Sequence, residues 1–413
     1  MARDTWHRLD NVGKFYASQA GSPFQTVFRY SATMSEPVDP DALQSALERT
    51  IRDFPGFNVC LRSGMFWHYL EQSDDVPRAE EERLAICQSL HVHAKSVLFR
   101  TTYYRSRINL EVSHIVSDGR GSLDFFRALL YSYVEERYGA ACERIAEHST
   151  AQQKSENSFD KYFEKDKAGP SKTPRPYRLP KRVDVLNPTY LEYHLPADRV
   201  VALSKSCGVS VTSCLIAAIV CAIRKEMPAQ DRGRAIKLDV PVDLRGMFES
   251  STMKNFFGLA FVSYVPGPAD EPFEEVARSV QAQLKEGTRL ESMKPRMNRM
   301  IALEKNIALR YAPLFVKDFV LDLADRVNSR SVTTTLSSIG KIDLDENARP
   351  YVENVNAMTS TSGLNFIACT CGNDLSVSIS TVYTDMGVVR NFCRFFSERG
   401  IEGRIDSNKG GLL

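Results

Sequence analysis

The 413-residue chain has almost no net charge, no long apolar run and none of the short glycine motifs that mark nucleotide sites. A formal charge of +2, from 53 Lys and Arg against 51 Asp and Glu, gives no electrostatic case for nucleic acid or a strongly acidic partner. The longest apolar stretch, CLIAAIVCAI at residues 214–223, is about half of what a membrane span needs. The N-terminal MARDTWHRLDNVGKFY lacks the apolar centre of a signal peptide. No G-x-S-x-G, Walker loop or G-x-G-x-x-G occurs, and no internal repeat is visible. Nine cysteines, an odd number scattered along the chain, fit free thiols in a reducing compartment, so the expected location is the cytoplasm.

What is present is an ordinary soluble composition, 43% hydrophobic and 25% charged, in a chain too long for one core. Two lobes of roughly 200 residues each are expected. PVDPDALQSALERTIRDFPGF reads as a helix with Asp39 as N-cap, Pro40 in the first turn and Leu43, Leu47 and Ile51 on one face. Residues 97–114 read as two strands with a turn near Arg105–Arg107, and GSLDFFRALLYSYVEERYG as a helix with Leu123, Phe126, Leu130 and Tyr133 along one side. From about 146 to 186 the chain is polar and rich in Lys and Pro, which suggests a crossover between a lobe at 1–145 and another at 187–413. The second lobe opens with the strand YLEYHLP and the helix SVTSCLIAAIVCAIRKEM. Cys214, Ala217, Ala218 and Cys221 give that helix a small-residue face suited to close packing rather than thiol chemistry. Further strands are expected at AIKLDVPVDL, LAFVSYVPG, SVTTTLSSIG, GLNFIACTCG and DLSVSISTVY, and a closing helix at VVRNFCRFFSERG. HVH at 91–93 and CTC at 369–371 each put two possible ligands on one strand face, but neither has the spacing of a zinc site, and no metal is expected.

The stretch that carries chemistry is SHIVSDG, residues 113–119. In RINLEVSH the apolar Ile108, Leu110 and Val112 alternate with Asn109, Glu111 and Ser113, which places His114 on the inward side. Burial disfavours the imidazolium, leaving a neutral ring able to accept a proton. Asp118 needs hydrogen bonds or a cation in such a place, and Gly119 lets the chain turn into the following helix. Taken alone, the same residues also describe a satisfied core histidine beside a Ser-Asp-Gly turn.

A second constellation lies in DVPVDLRGMFESSTMKNFFG, residues 239–258, where Asp243-Leu244-Arg245 ends a strand and Asn255 precedes Phe256, Phe257 and Gly258. H-x-x-x-D-G followed over a hundred residues later by D-L-R and a loop with Asn and Gly resembles the CoA-dependent acyltransferase superfamily. Its members include chloramphenicol acetyltransferase, the plant HxxxD acyltransferases, nonribosomal peptide condensation domains and alcohol acetyltransferases. WHRLDNVGKFY, FPGFNVCLRSGMFWHYLE and VPVDLRGMFES resemble bacterial alcohol acetyltransferase-like proteins most, and the resemblance extends over nearly the whole chain.

The resemblance implies an α/β fold of two chloramphenicol-acetyltransferase-like lobes with mixed sheets and an active-site channel between them. His114 matches the general base, Asp118 a structural aspartate paired with an arginine, and Arg245 that arginine. Gly119 matches a glycine that leaves room for substrate, and Asn255 is placed with the substrate-binding residues. Two features depart from relatives. Condensation domains carry two adjacent histidines, where this chain has Ser113 before His114, and the plant Asp-Phe-Gly-Trp-Gly segment is missing. TTLSSIG, residues 334–340, instead resembles a Ser/Asn-Leu-Gly strand end, so Ser337 or Ser338 would donate to the oxyanion, or either is a plain turn hydroxyl.

The implied activity is acyl transfer from acyl-CoA, as cosubstrate and with no bound cofactor, to a small alcohol or amine. The chain is expected to act as a monomer with no membrane span and no nucleic acid. Two other readings remain: a condensation-type enzyme fed by an acyl carrier protein, and a non-catalytic binding module of the same fold. With no fused carrier domain visible, free acyl-CoA is the simpler donor.

Overall fold

Local chemistry sets the first long helix. In a computed structural model, which describes residues 6–21, 25–91, 93–147, 158–164, 175–179, 182–267, 271–302 and 312–409, it runs Pro40–Asp53. The Asp39 carboxylate accepts from the backbone N–H groups of Asp41 and Ala42, both at 3.0 Å, and Leu43, Leu47 and Ile51 are buried. A second long helix, Gly119–Tyr138, packs against it.

The first half supplies strands β1 (Trp6–Arg8), β2 (Val27–Met34), β3 (Val59–Ser63), β4 (His68–Gln72), β5 (Glu80–Glu81), β6 (Phe99–Tyr104) and β7 (Arg107–Ser113). The second supplies β8 (Thr189–Pro196), β9 (Ile236–Asp243), β10 (Phe257–Tyr264), β11 (Thr334–Lys341), β12 (Val352–Thr359), β13 (Leu364–Cys371), β14 (Asp374–Thr381) and β15 (Arg404–Ser407). Among the described residues these form a five-stranded sheet, β12-β2-β7-β6-β5, a seven-stranded sheet, β10-β9-β11-β13-β14-β8-β15, and a small three-stranded one, β1-β4-β3. The seven-stranded sheet is mixed: β11 runs parallel to both β9 and β13, and its other ladders are antiparallel. Each large sheet has its own apolar core, which gives the two-lobed α/β architecture expected.

In the second lobe the helix Val211–Glu226 packs between Phe273–Gly287 and Gly387–Ser397, with Cys214, Ala217, Ala218 and Cys221 buried. Burial pushes the Cys214 thiol up to about 11, so this face packs and does not react. No single helix among the described residues is long and apolar enough to cross a membrane. The expected crossover, 146–186, lies largely outside the described residues; its short helix Ser158–Lys161 plants Phe159 in the second core.

Two features differ from the sequence reading. The sheets do not follow a cut at residue 187, because β12 leaves the second half and pairs along β2, with Val355 opposite Ala32. That covers what would otherwise be an open edge of the first sheet, and it carries Val352, Val355 and Ala357 into the first core. The alternation in RINLEVS predicts one buried face, but both faces of β7 are buried. It is an interior strand, and its polar side is satisfied by Arg29 and Arg100 on Glu111 and by Ser31 on Asn109.

Candidate active site

His114 follows directly on the last residue of β7. Its backbone N–H donates to the Thr26 carbonyl at 3.1 Å, and buried Ile115 and Val116 anchor the turn that follows. Asp118 then caps the helix Gly119–Tyr138, accepting from Gly121 N–H at 3.1 Å. A Cβ at Gly121 would collide with the Met253 carbonyl and the Ser117 hydroxyl, so this second glycine is what lets the 251–256 loop of the other lobe approach. Ser117 Oγ donates to that same Met253 carbonyl at 2.5 Å.

The half-buried His114 ring stands among aromatic side chains from both halves of the chain. Tyr16 stacks on it with centroids 4.8 Å apart, Phe28 tilts against it at 4.8 Å, and Phe257 lies at 6.3 Å. Asn255 sets the tautomer. Its Nδ2 donates to the His114 carbonyl at 2.9 Å and to Asp10 Oδ2 at 3.1 Å, so its Oδ1 is the atom 3.3 Å from His114 Nδ1. Nδ1 must therefore carry the proton, and Nε2 holds the lone pair. Burial pulls the His114 pKa below its usual value, against the raising effects of the Asn255 bond and the Asp118 charge.

Asp10 completes this relay. It caps the helix Asn11–Ser18 through Gly13 N–H at 2.6 Å and accepts both the Asn255 backbone N–H and its side-chain amide at 3.1 Å. Burial pushes its carboxyl up, opposed by those N–H groups and by the Lys254 charge.

Asp118 and Arg245 meet across the lobes as the resemblance implies. Arg245 Nη2 lies 2.9 and 3.0 Å from the two Asp118 oxygens, a single nitrogen rather than a two-nitrogen fork. Its remaining N–H groups bind the carbonyls of Thr252 at 2.8 Å and Lys254 at 2.7 Å and the Asp243 carboxylate at 2.9 Å. Phe256 N–H donates to Asp118 Oδ2 at 2.8 Å. Asp118 thus points away from the reaction centre and locks the Asn255 loop beside His114.

The structure therefore brings together His114, Asp118, Arg245 and Asn255, with Gly119 adjoining. Asn255, expected among the substrate-binding residues, is wholly buried, and its amide is spent on His114 and Asp10. A Cβ at Gly119 would stand 3.3 Å from the Tyr30 hydroxyl, which donates to the Gly119 carbonyl at 2.7 Å. Ser337 and Ser338 lie on β11, where Ser338 Oγ is 3.1 Å from the Thr212 hydroxyl; among the described residues neither is bonded to His114. Asp10 and Tyr16 were not legible as site residues. Asp10 had one local signal, an Asp directly before a helix; Tyr16 had none.

Several solved structures share this fold. F. sporotrichioides TRI101, complexed with coenzyme A and T-2, is similar over 97% of this chain and 99% of its own, at 13% identity and a TM-score of 0.64. Polyketide synthase associated protein 5 from Mycobacterium tuberculosis is similar over 96% and 98%, at 14% identity and a TM-score of 0.61. The first condensation domain of the calcium-dependent antibiotic synthetase covers 96% of both chains at 15% identity and a TM-score of 0.61. The chain shares the two-lobed fold of these three proteins. More particularly, residues 195–316 match the family described as the phthiocerol/phthiodiolone dimycocerosyl transferase C-terminus. No curated protein matches the chain in sequence.

Proposed function

We propose that the protein transfers an acyl group from an acyl thioester to a hydroxyl or amine acceptor, with His114 as general base. The observation that carries this reading is the Asn255 bond to Nδ1, which leaves the Nε2 lone pair free to take a proton. Nε2 removes the acceptor's proton as its oxygen or nitrogen attacks the thioester carbon. The carbon–sulfur bond then breaks, and the thiolate leaves with the proton returned by His114. Asp118 and Arg245 hold the loops that aim the ring, and the Ser337 or Ser338 hydroxyl is assigned to the oxyanion. Acyl-CoA is the donor we assign, supported by coenzyme A in the F. sporotrichioides structure. The nine unpaired cysteines support a reducing compartment.

Thiol release from short- to long-chain acyl-CoAs, with EDTA present and with or without alcohols and amines, tests the assignment. Acceptor-stimulated release from at least one acyl-CoA is expected. Turnover of an acyl carrier protein with none of any CoA would transfer the case to condensation-type chemistry, and turnover of neither would leave a binding module.

A further inference from the structure

Away from His114, the end of the seven-stranded sheet buries a second histidine among carboxylates. β15 runs antiparallel to β8 with Asp406 directly opposite Glu192 and Arg404 opposite His194. Two carboxylates facing each other across a ladder repel, and the arrangement calls for a cation between them. Gly403 makes it possible, because a Cβ there would stand 2.6 Å from the His194 carbonyl and collide with the Tyr193 ring.

We propose that Glu192, His194 and Asp406 form a binding site for a divalent transition metal, with Zn2+ the best match to one imidazole and two carboxylates. Their ligand atoms all lie within 4.8 Å of one another. His194 is only 8% exposed, and among the described residues its Nε2 has no hydrogen-bond partner. That nitrogen points between Glu192 Oε2 at 3.7 Å and Asp406 Oδ2 at 3.9 Å. Both distances are too long for a hydrogen bond, and an imidazolium settled on one carboxylate would close to about 2.7–2.9 Å. These separations need only a small closure onto a common centre: bonds of about 2.0–2.2 Å give tetrahedral ligand-to-ligand edges of roughly 3.3–3.6 Å, a little shorter than those seen here.

The outer contacts hold each ligand in place. Asp374 Oδ2 lies 2.8 Å from His194 Nδ1, the carboxylate–histidine arrangement that turns the other ring nitrogen toward a metal. Glu192 is gripped at Oε1 by Arg107 and at Oε2 by Asn356 Nδ2 at 2.7 Å. Arg404 Nε lies 3.1 Å from Asp406 Oδ2. With His194 neutral, three carboxylates against two guanidiniums leave one negative charge, which a metal ion at the Nε2 lone pair would offset. A surface recess of about 690 Å³, lined by His194, Pro196, Asn373, Glu402, Gly403 and Arg404, borders the cluster, and the Asp406 side chain is 51% exposed. The site is separate from the reaction centre. Arg107 begins β7 and His114 follows its end, about 23 Å along the strand.

Untagged full-length protein, stripped with EDTA and dialysed, is titrated with ZnCl2 by calorimetry at pH 7. Wild type should bind one more Zn2+ than D406N. H194Q should match D406N, and D374N, which keeps all three ligands, should bind about 10–100-fold more weakly than wild type. Wild type and D406N share all nine cysteines, so thiol binding cancels, and Asp406 lies on an exposed edge strand where Asn leaves folding intact. Equal Zn2+ binding by wild type and D406N would overturn the proposal and leave an ionic cluster.

Discussion

His114 and His194 are both largely withdrawn from solvent, yet their surroundings push them in opposite directions. His114 lies against Tyr16, Phe28 and Phe257 with one neutral amide, and burial lowers its pKa. His194 lies among Asp374, Glu192 and Asp406, and the first two overcome burial and raise it to about 9. The partner, not the depth, decides the sign. The linkage follows. His194, whose folded pKa is raised, contributes stability below its unfolded pKa of about 6.5, and the metal-free protein loses it as pH rises through about 9. His114, whose folded pKa is lowered, resists protonation, so the fold loses stability as pH falls from about 6.5 through that lowered value. One ring is kept neutral, as a general base must be; the other is held among carboxylates that favour a positive charge.

The largest effect that can break this comparison is on activity. His114→Ala should leave a folded protein and lower transfer by about 100- to 10,000-fold at saturating substrates, read as acceptor-dependent thiol release. Near-wild-type turnover would mean that the neutral ring is only packing.

Next comes the lock on the loops. Asp118→Ala or Arg245→Ala each leaves a buried charge without its partner, a loss of about 3–5 kcal/mol in denaturant unfolding. The double variant should fall short of the sum by more than about 1 kcal/mol. Additive losses would show that the two lobes are not joined through this pair.

The smallest effect sharpens the role of the amide. Asn255→Ala removes the bond that fixes the His114 tautomer, and transfer should drop about tenfold, the worth of one hydrogen bond near 1.4 kcal/mol. Since that bond raises the His114 pKa, its loss should also move the acid limb of the rate profile lower. A raised KM with an unmoved limb would make Asn255 a substrate contact after all.

What was legible in the chain was mostly local. The Asp39 cap, the β6–β7 hairpin and the small face of Val211–Glu226 follow from neighbours within a few residues. His114 and Asp118 carry their spacing on the surface of the sequence, but Arg245 could be joined to Asp118 only through the family resemblance. Asp10 escaped because its partner Asn255 is 245 residues away. β12 escaped because Asn354 and Asn356 weaken an eight-residue strand pattern, and Asn356 Nδ2 donates to Glu192 from the other lobe. YLEYHLP shows Glu192 and His194 on one strand face, yet nothing nearby announces Asp406, which arrives on an edge strand more than two hundred residues later.

The most direct test of the central claim is the pH dependence of kcat/KM for acceptor-dependent thiol release by the wild-type enzyme, which reports the free enzyme's base. A half-buried, neutral His114 predicts a single acid limb with its midpoint below the ordinary histidine value of about 6.5, and full activity at pH 7. A midpoint above 6.5, or no limb in that range, would contradict His114 as the base.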